Sequence, residues 1–212
     1  MRADAEDNRR RLLDAAGAVF AERGVEAPFT LIASRAGLGA GTLYRHFPDR
    51  DAVILGLGDQ MGARYAVVAM AAASAPTGWD GIVAYLEGVT AIYVDLPWMT
   101  AVLPRVRTLR PPDSSSEQAA RWVMERAWAE RSLRTDIEPT DLAFVPSLMA
   151  GLVHLPEPMR SIVMARQRDI ILDGLRPVGA SRPPLGGTPL PLEDFRARIG
   201  RRSEAPDGEG ES

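Results

Sequence analysis

Apolar residues recur at three- and four-residue steps through most of the first 175 positions, and no stretch alternates apolar with polar as a half-buried strand would. The pattern predicts about nine helices and an all-α fold. Helix 1 is expected over roughly Asn8–Arg23, where Leu12, Leu13, Ala16, Val19 and Phe20 share one face and Gly24 can serve as a left-handed cap. Arg9, Arg10 and Arg11 then fall in its first turn, which the helix dipole disfavours. Pro28 suits the first position of helix 2, whose buried side is Ile32, Ala33 and Ala36, and Gly37 ends it. Gly39 begins helix 3, Leu43 and Phe47 face inward, and Pro48 stops it. Asp49 caps a long helix 4 with Asp51 in its first turn; Val53, Ile54, Leu57, Met61, Tyr65 and Val68 carry its stripe to about Ala73.

Later punctuation is as plain. Residues 74–78 are a break, and Trp79 or Asp80 opens helix 5, with Ile82, Val83, Leu86, Val89 and Tyr93 on one face. Pro97 starts helix 6, and Pro104 must kink or end it. Residues 111–113 form a loop, and Ser114 to Ser116 offer caps for helix 7, which carries Ala120, Val123, Met124, Ala127 and Trp128. Thr140 caps helix 8 and Pro146 kinks it; helix 9 runs from about Met159 to Leu175. Beyond Pro177 the composition turns to proline, glycine and charge, which predicts a disordered tail. One island, Leu190–Ile199, places Leu192, Phe195 and Ile199 at helical spacing and reads either as a docking segment or as an unstructured apolar remnant.

Composition narrows the chemistry. The chain has 212 residues, a globular balance of apolar and charged residues, and no cysteine, which removes disulfides, thiolate metal sites and thiol catalysis together. The charged opening lacks an apolar signal region, and no window is long and apolar enough to span a membrane, so the cytoplasm is the expected compartment. Net charge is −3, so any contact with nucleic acid must come from local placement. All 25 basic residues are arginine, each able to bind phosphate as a bidentate fork. Of the two histidines, His46 and His154, neither has a metal-spaced partner, and no GxSxG, P-loop or dinucleotide motif occurs. Pairs such as Glu125 and Glu130 read as solvated helix faces. No cofactor or metal is expected, and an enzyme is the disfavoured alternative.

The stretch Pro28–Phe47 has the physics of a helix-turn-helix: a slim short helix for the major groove, preceded by one lying across the backbone. Gly39, Ala40 and Gly41 permit close approach. Thr42, Tyr44 and His46 can reach phosphate or base edges, while Arg35, Arg45 and Arg50 are candidate clamps. Spacing alone leaves open the alternative that this is only a glycine turn between packed helices. The arginine run 9–11 likewise reads either as a solvated face or as lying beside a polyanion. In the body, Met61, Tyr65, Tyr93, Trp98, Met99, Leu103, Trp122 and Met149 are candidates to line an apolar pocket or else to pack the core. Arg105, Arg107 and Arg110 face an anionic ligand or solvent.

The run IASRAGLGAGTLYRHFPDRDAVI resembles the recognition region of the TetR family of transcriptional regulators, and RRLLDAAGAVFAERG resembles that family's opening helix. The resemblance covers about the first 60 residues and implies a three-helix DNA-binding head on a helical ligand-binding and dimerisation body. It divides the chain into a head at 1–65, a body at 66–176 and a tail at 177–212. It also implies a homodimer on palindromic double-stranded operator DNA, whose last two helices pair as a four-helix bundle; Leu148, Leu152, Ile162, Val163, Ile170 and Ile171 are the candidate interface. A small apolar or aromatic effector of unknown identity would relieve repression. Thr42, Tyr44 and His46 match the family's recognition-helix contacts, and Arg50 its basic residue at the start of helix 4. Two positions depart from the family pattern: Pro28 and Gly39 stand where capping hydroxyls are usual, leaving Thr30 as a shifted candidate. A helix-turn-helix scaffold with no effector is the remaining alternative.

Overall fold

The computed structural model describes residues 2–110, 114–177, 185–186, 188–191 and 194, with the side chains of residues 2, 3, 114–117 and 119 outside the description. Among these residues there are nine helices and no strand: α1 (Arg2–Arg23), α2 (Thr30–Ala36), α3 (Ala40–His46), α4 (Arg50–Ala73), α5 (Gly78–Asp95), α6 (Met99–Leu109), α7 (Ser114–Ala129), α8 (Pro139–Ala150) and α9 (Met159–Leu175). The expected all-α architecture stands.

The head is α1–α3 closed by the first turns of α4. Leu12, Ala16 and Phe20 from α1 meet Ile32, Leu43, Val53, Ile54 and Leu57, all fully buried. Continuous apolar stripes meeting at one point are what let three short helices hold a fixed geometry. Asp49 caps α4 as expected, its carboxylate accepting from Ala52 N at 2.7 Å. Helix α4 then passes out of the head and becomes part of the body, packing on α5, α6 and α7 around Ile82, Val89, Val123 and Met124.

Head and body meet a second time through α6. Gly17 of α1 lies flat against the Trp98 indole: a Cβ there would stand 2.5 Å from Trp98 Cδ1, so no larger residue fits without displacement. Helix α6 is also tied to α4 by Arg105, which grips both oxygens of Asp51 at 3.0–3.1 Å, and by Arg110, 2.8 Å from Asp59. The arginines expected to face an anionic ligand or solvent thus include two that join helices.

Several boundaries differ from expectation, each for a local reason. Helix α1 begins at Arg2, so Arg9–Arg11 sit well inside it and escape the first-turn dipole penalty. Pro28 lies two residues before the first residue of α2, with Phe29 as N-cap. Thr77 caps α5 by accepting from Asp80 N at 3.0 Å, and the helix opens at Gly78 rather than Trp79 or Asp80. Helix α6 starts at Met99 and runs through Pro104 to Leu109. Helix α8 is not capped by Thr140. Pro139 holds its first position, Glu138 is the cap residue, and Asp141 accepts from Glu138 N at 2.8 Å. The Ser114–Ser116 caps fall on side chains outside the description.

Thr140 is buried, and its hydroxyl donates to the Leu190 carbonyl at 2.5 Å. Leu185 N donates to Asp136 at 2.8 Å, so part of the segment expected to be disordered lies against the α7–α8 turn. The island's Leu192, Phe195 and Ile199 fall outside the described residues. Beneath this strap Arg134, only 6% exposed, forks onto Asp136 at 2.6 and 2.8 Å and donates to Gly174 O at 3.1 Å. It thereby satisfies a carbonyl at the end of α9, where the dipole favours a cation. The Arg134 fork, helped by the Leu185 N–H, holds the Asp136 carboxyl well below the usual carboxylate range.

Candidate functional site

Glycine chemistry sets the turn between α2 and α3. Gly37 has φ 65°, the left-handed region, and its N–H and that of Leu38 close onto Ser34 O and Ala33 O at 3.1 and 3.0 Å. Arg11 of α1 donates to the last carbonyl of α2, Ala36 O, at 2.7 Å, fixing α2 against α1. Leu43 and Phe47 are buried in the head, which forces the intervening residues of α3 outward. Arg9 lies over the Phe47 ring at 5.3 Å and covers it from solvent.

The outward face of α3 carries Ala40, Gly41, Tyr44 and Arg45, all exposed, with Thr42 and His46 half-buried on its flanks. Tyr44 is 50% exposed, and its ring meets Phe29 edge-on at 5.4 Å, so a residue ahead of α2 orients a residue of α3. Arg45 folds back along its own helix, donating to Gly41 O and to Thr42 Oγ1, both at 3.2 Å. Thr42 therefore accepts from Arg45 and keeps its own hydroxyl hydrogen to donate. Thr30 is the exposed first residue of α2. Neither N-cap, Phe29 nor Gly39, makes a side-chain cap bond, in line with the departures noted at Pro28 and Gly39.

Two expected clamps carry internal partners. Arg35 pairs with Glu22 of α1 at 2.7 Å and holds that carboxyl below its ordinary range. Arg50 donates to the Val25 carbonyl in the α1–α2 connection. Both are positioning residues in the free protein, and each guanidinium retains further N–H donors. The ties from Arg9 and Arg11 were missed in the sequence; Arg9 stands three and four residues before the buried Leu12 and Leu13, and Arg11 four before the buried Ala15.

The candidate pocket residues are divided between the core and the surface of the body. Met61, Tyr93, Trp98 and Met99 are buried core residues, and Tyr65 and Leu103 are half-buried beside them. Trp122 faces outward with Arg126 stacked on it at 4.7 Å. Tyr93 shares a hydrogen bond of 2.9 Å with Ser147, and burial beside it pushes the Tyr85 phenol up to about 12. A groove of about 550 Å³ lies between α5, α8 and α9. Its lining includes Leu86, Thr90, Val94, Val145, Met149 and Met164, so Met149 alone of the expected pocket residues reaches it. The reason is packing order: α4–α7 close around the aromatic residues, whereas α9 leans on the body without burying its length.

Of the candidate interface residues, Ile171 turns inward to line this groove. Leu148, Ile162 and Ile170 are exposed at 73%, 56% and 59%, and Leu152 and Val163 are half-buried. Among the described residues no group of histidine, aspartate and glutamate could hold a metal ion, and no helix is long and apolar enough to cross a membrane.

Comparison with known proteins agrees with this geometry. Residues 12–57, spanning the core of the head, match the sequence model of bacterial regulatory proteins of the tetR family. The HTH-type transcriptional repressor Rv1474c of Mycobacterium tuberculosis is 30% identical over 169 residues, 79% of each chain. HTH-type transcriptional regulators of Staphylococcus aureus are 49% identical over 51 residues, 24% of this chain and 28% of theirs. The crystal structure of the TetR transcriptional regulator SCO0520 from Streptomyces coelicolor superposes with a TM-score of 0.55 at 29% identity, covering 81% of this chain and 99% of that one.

Proposed function

The chain belongs to the TetR family and is a DNA-binding transcriptional regulator, and from that premise we propose that it acts as a homodimeric repressor released from its operator by a small molecule. The observation that carries the DNA-binding face is the outward side of α3. Leu43 and Phe47 lock the helix from behind, Phe29 orients Tyr44, and Arg45 and Thr42 stand ready beside it. Residues fixed before contact lose little entropy on binding, which favours a specific complex over a loose electrostatic one. With a net charge of −3, this local cluster rather than the whole protein must attract phosphate.

Dimerisation is supported by α9, which is apolar on two opposite sides. Met164, Ala165 and Ile171 face the groove, while Met159, Ile162 and Ile170 point to solvent. A helix of that kind needs a partner on each side. Leu148 of α8 adds to the outer surface, and a second copy related by a two-fold axis would cover it self-complementarily. The two α3 helices would then enter successive major grooves on one face of the duplex, about 34–36 Å apart or slightly more. A DNA partner supports a cytoplasmic location, and we read the chain as a binding protein rather than an enzyme.

Release works by population shift: the effector favours a head spacing that no longer fits the operator, and a hundredfold loss of affinity needs about 2.7 kcal/mol of differential binding. Helix α4 is the lever, with α6 braced against its first turn through Arg105 and Asp51. The test is fluorescence anisotropy with duplexes from the gene's own upstream region and with shuffled duplexes of equal length. Preference for the native sequence, with affinity falling steeply as salt is added, is the expected result. Equal affinity for both duplexes would reject operator recognition.

A further inference from the structure

We propose that the groove between α5, α8 and α9 is the effector site and that it takes an uncharged, elongated amphipathic molecule. This rests on the effector reading above and adds to it a place and a chemical class. The volume, about 550 Å³, lies within the roughly 300–1,000 Å³ of small-molecule pockets. The α9 wall runs from Arg160 to Ile171, about 16 Å at the helical rise, so the space is long rather than round. Its floor and walls are apolar at Val94, Val145, Met149 and Met164, and Thr90 contributes a hydroxyl.

Charge decides the class. Three carboxylates line the groove, and each has its own arginine: Glu87 with Arg168 at 3.1 Å, Glu157 with Arg160 at 2.7 Å, and Asp95 with Arg64 at 2.7 Å. Ser161 also donates to Glu157 at 2.7 Å, and together Ser161 and Arg160 hold that carboxyl below its ordinary range. Arg160 and Arg168 are already neutralised, Arg168 by Asp169 at 2.9 Å as well as by Glu87, so the groove offers no net positive charge to an anion and no free carboxylate to a cation. An uncharged molecule leaves all three pairs intact and gains only apolar burial and hydrogen bonds at the rim. The same α9 whose inner side forms this wall carries the outward apolar face on its other side, so whatever fills the groove lies one helix away from the partner chain.

The test uses the full chain and two fluorescent probes sharing one ring skeleton, uncharged N-phenylnaphthylamine and its anionic counterpart anilinonaphthalene sulfonate. The neutral probe is expected to bind saturably, and Ala165→Trp, which fills the groove from α9, to weaken it at least tenfold. Ala91→Trp does the same from the α5 wall and stands in if the first variant does not fold. The sulfonated probe is expected to bind at least tenfold more weakly, and Glu87→Gln, which removes one negative charge from the groove wall, to narrow that gap. Neutral-probe affinity unchanged by both tryptophan variants would overturn the site. A sulfonate that binds as tightly as the neutral probe, or a gap unmoved by Glu87→Gln, would overturn the class. None of these readings involves DNA, so failure of operator recognition would be seen separately.

Discussion

Replacing Gly17 with alanine tests how head and body are joined. The new Cβ would stand 2.5 Å from Trp98 Cδ1, 2.6 Å from Nε1 and 3.2 Å from Cγ. Ordinary carbon contacts need about 3.5–4.0 Å, so one partner must retreat by about 1 Å. Trp98 is 7% exposed and adjoins the fully buried Met99 and Val102, so its ring has no space to move into without moving α6. Overpacking of this kind costs about 1–3 kcal/mol. For a chain of this size that lowers Tm by about 2–12 °C, at about 2–4 °C per kcal/mol. Because Arg105 ties α6 to Asp51 in the first turn of α4, the displacement also reaches the seat of α3. Gly17→Ala is therefore expected to weaken operator binding at 25 °C, where the variant is still folded. The assays are thermal unfolding by circular dichroism and anisotropy on the upstream duplex. Trp98→Ala removes the indole atoms that clash, so the double variant should lose less than the two single variants added together, a favourable coupling in the double-mutant cycle. A Gly17→Ala protein with unchanged Tm and affinity would refute the close-contact account, and a double variant no better than the sum of its parts would refute the assignment to Trp98.

Other outcomes are expected. Tyr44→Ala should weaken operator binding about tenfold, the loss of about 1.4 kcal/mol, with Tm unchanged because the side chain is half-exposed; unaltered anisotropy would remove Tyr44 from the interface. Leu148→Arg with Ile162→Arg should give a monomer by light scattering at micromolar concentration, since two charges would be buried unpaired at the proposed interface; a persisting dimer would place the interface elsewhere. For Asp136, the folded carboxyl is depressed below its unfolded value of 3.8, so its stabilisation is present above that value and is lost as pH falls through the folded one. On acidification below about pH 4 the parent should therefore lose more Tm than Asp136→Asn, which lacks the titrating group; parallel losses would show that Asp136 is not linked to folding.

Local chemistry made the head legible in sequence. Gly37 before Leu38, Gly39 at the start of α3, Pro48 and Asp49 each act on their own backbone within a few residues, and the structure uses all of them as read. Helix α9 was legible for the same reason, bounded by Met159 and Leu175. Thr140 failed because two signals competed. Pro139 is fit for a helix's first position, which makes Glu138 the cap and leaves Thr140 free to be buried under Leu190. The groove was not legible at all. An aromatic or methionine at helical spacing packs a core or lines a cavity depending on how far a distant helix leans away, and spacing carries no information about α9's distance from α5. Arg134 was missed because an arginine between two helices normally reads as solvated. Its pairing with Asp136, two residues on, and the apolar Leu133 and Ile137 around it were the signals that it turned inward.

In the proposed dimer, two copies of α3 read one duplex together. Hydroxyl-radical footprinting of the upstream region at saturating protein measures this most directly. Two protected patches are expected on the same face of the DNA, related by a pseudo-palindrome and centred about one helical turn apart or slightly more. Leu148→Arg with Ile162→Arg is expected to abolish both patches together. A single patch, or protection that survives in the monomeric variant, would contradict that joint reading.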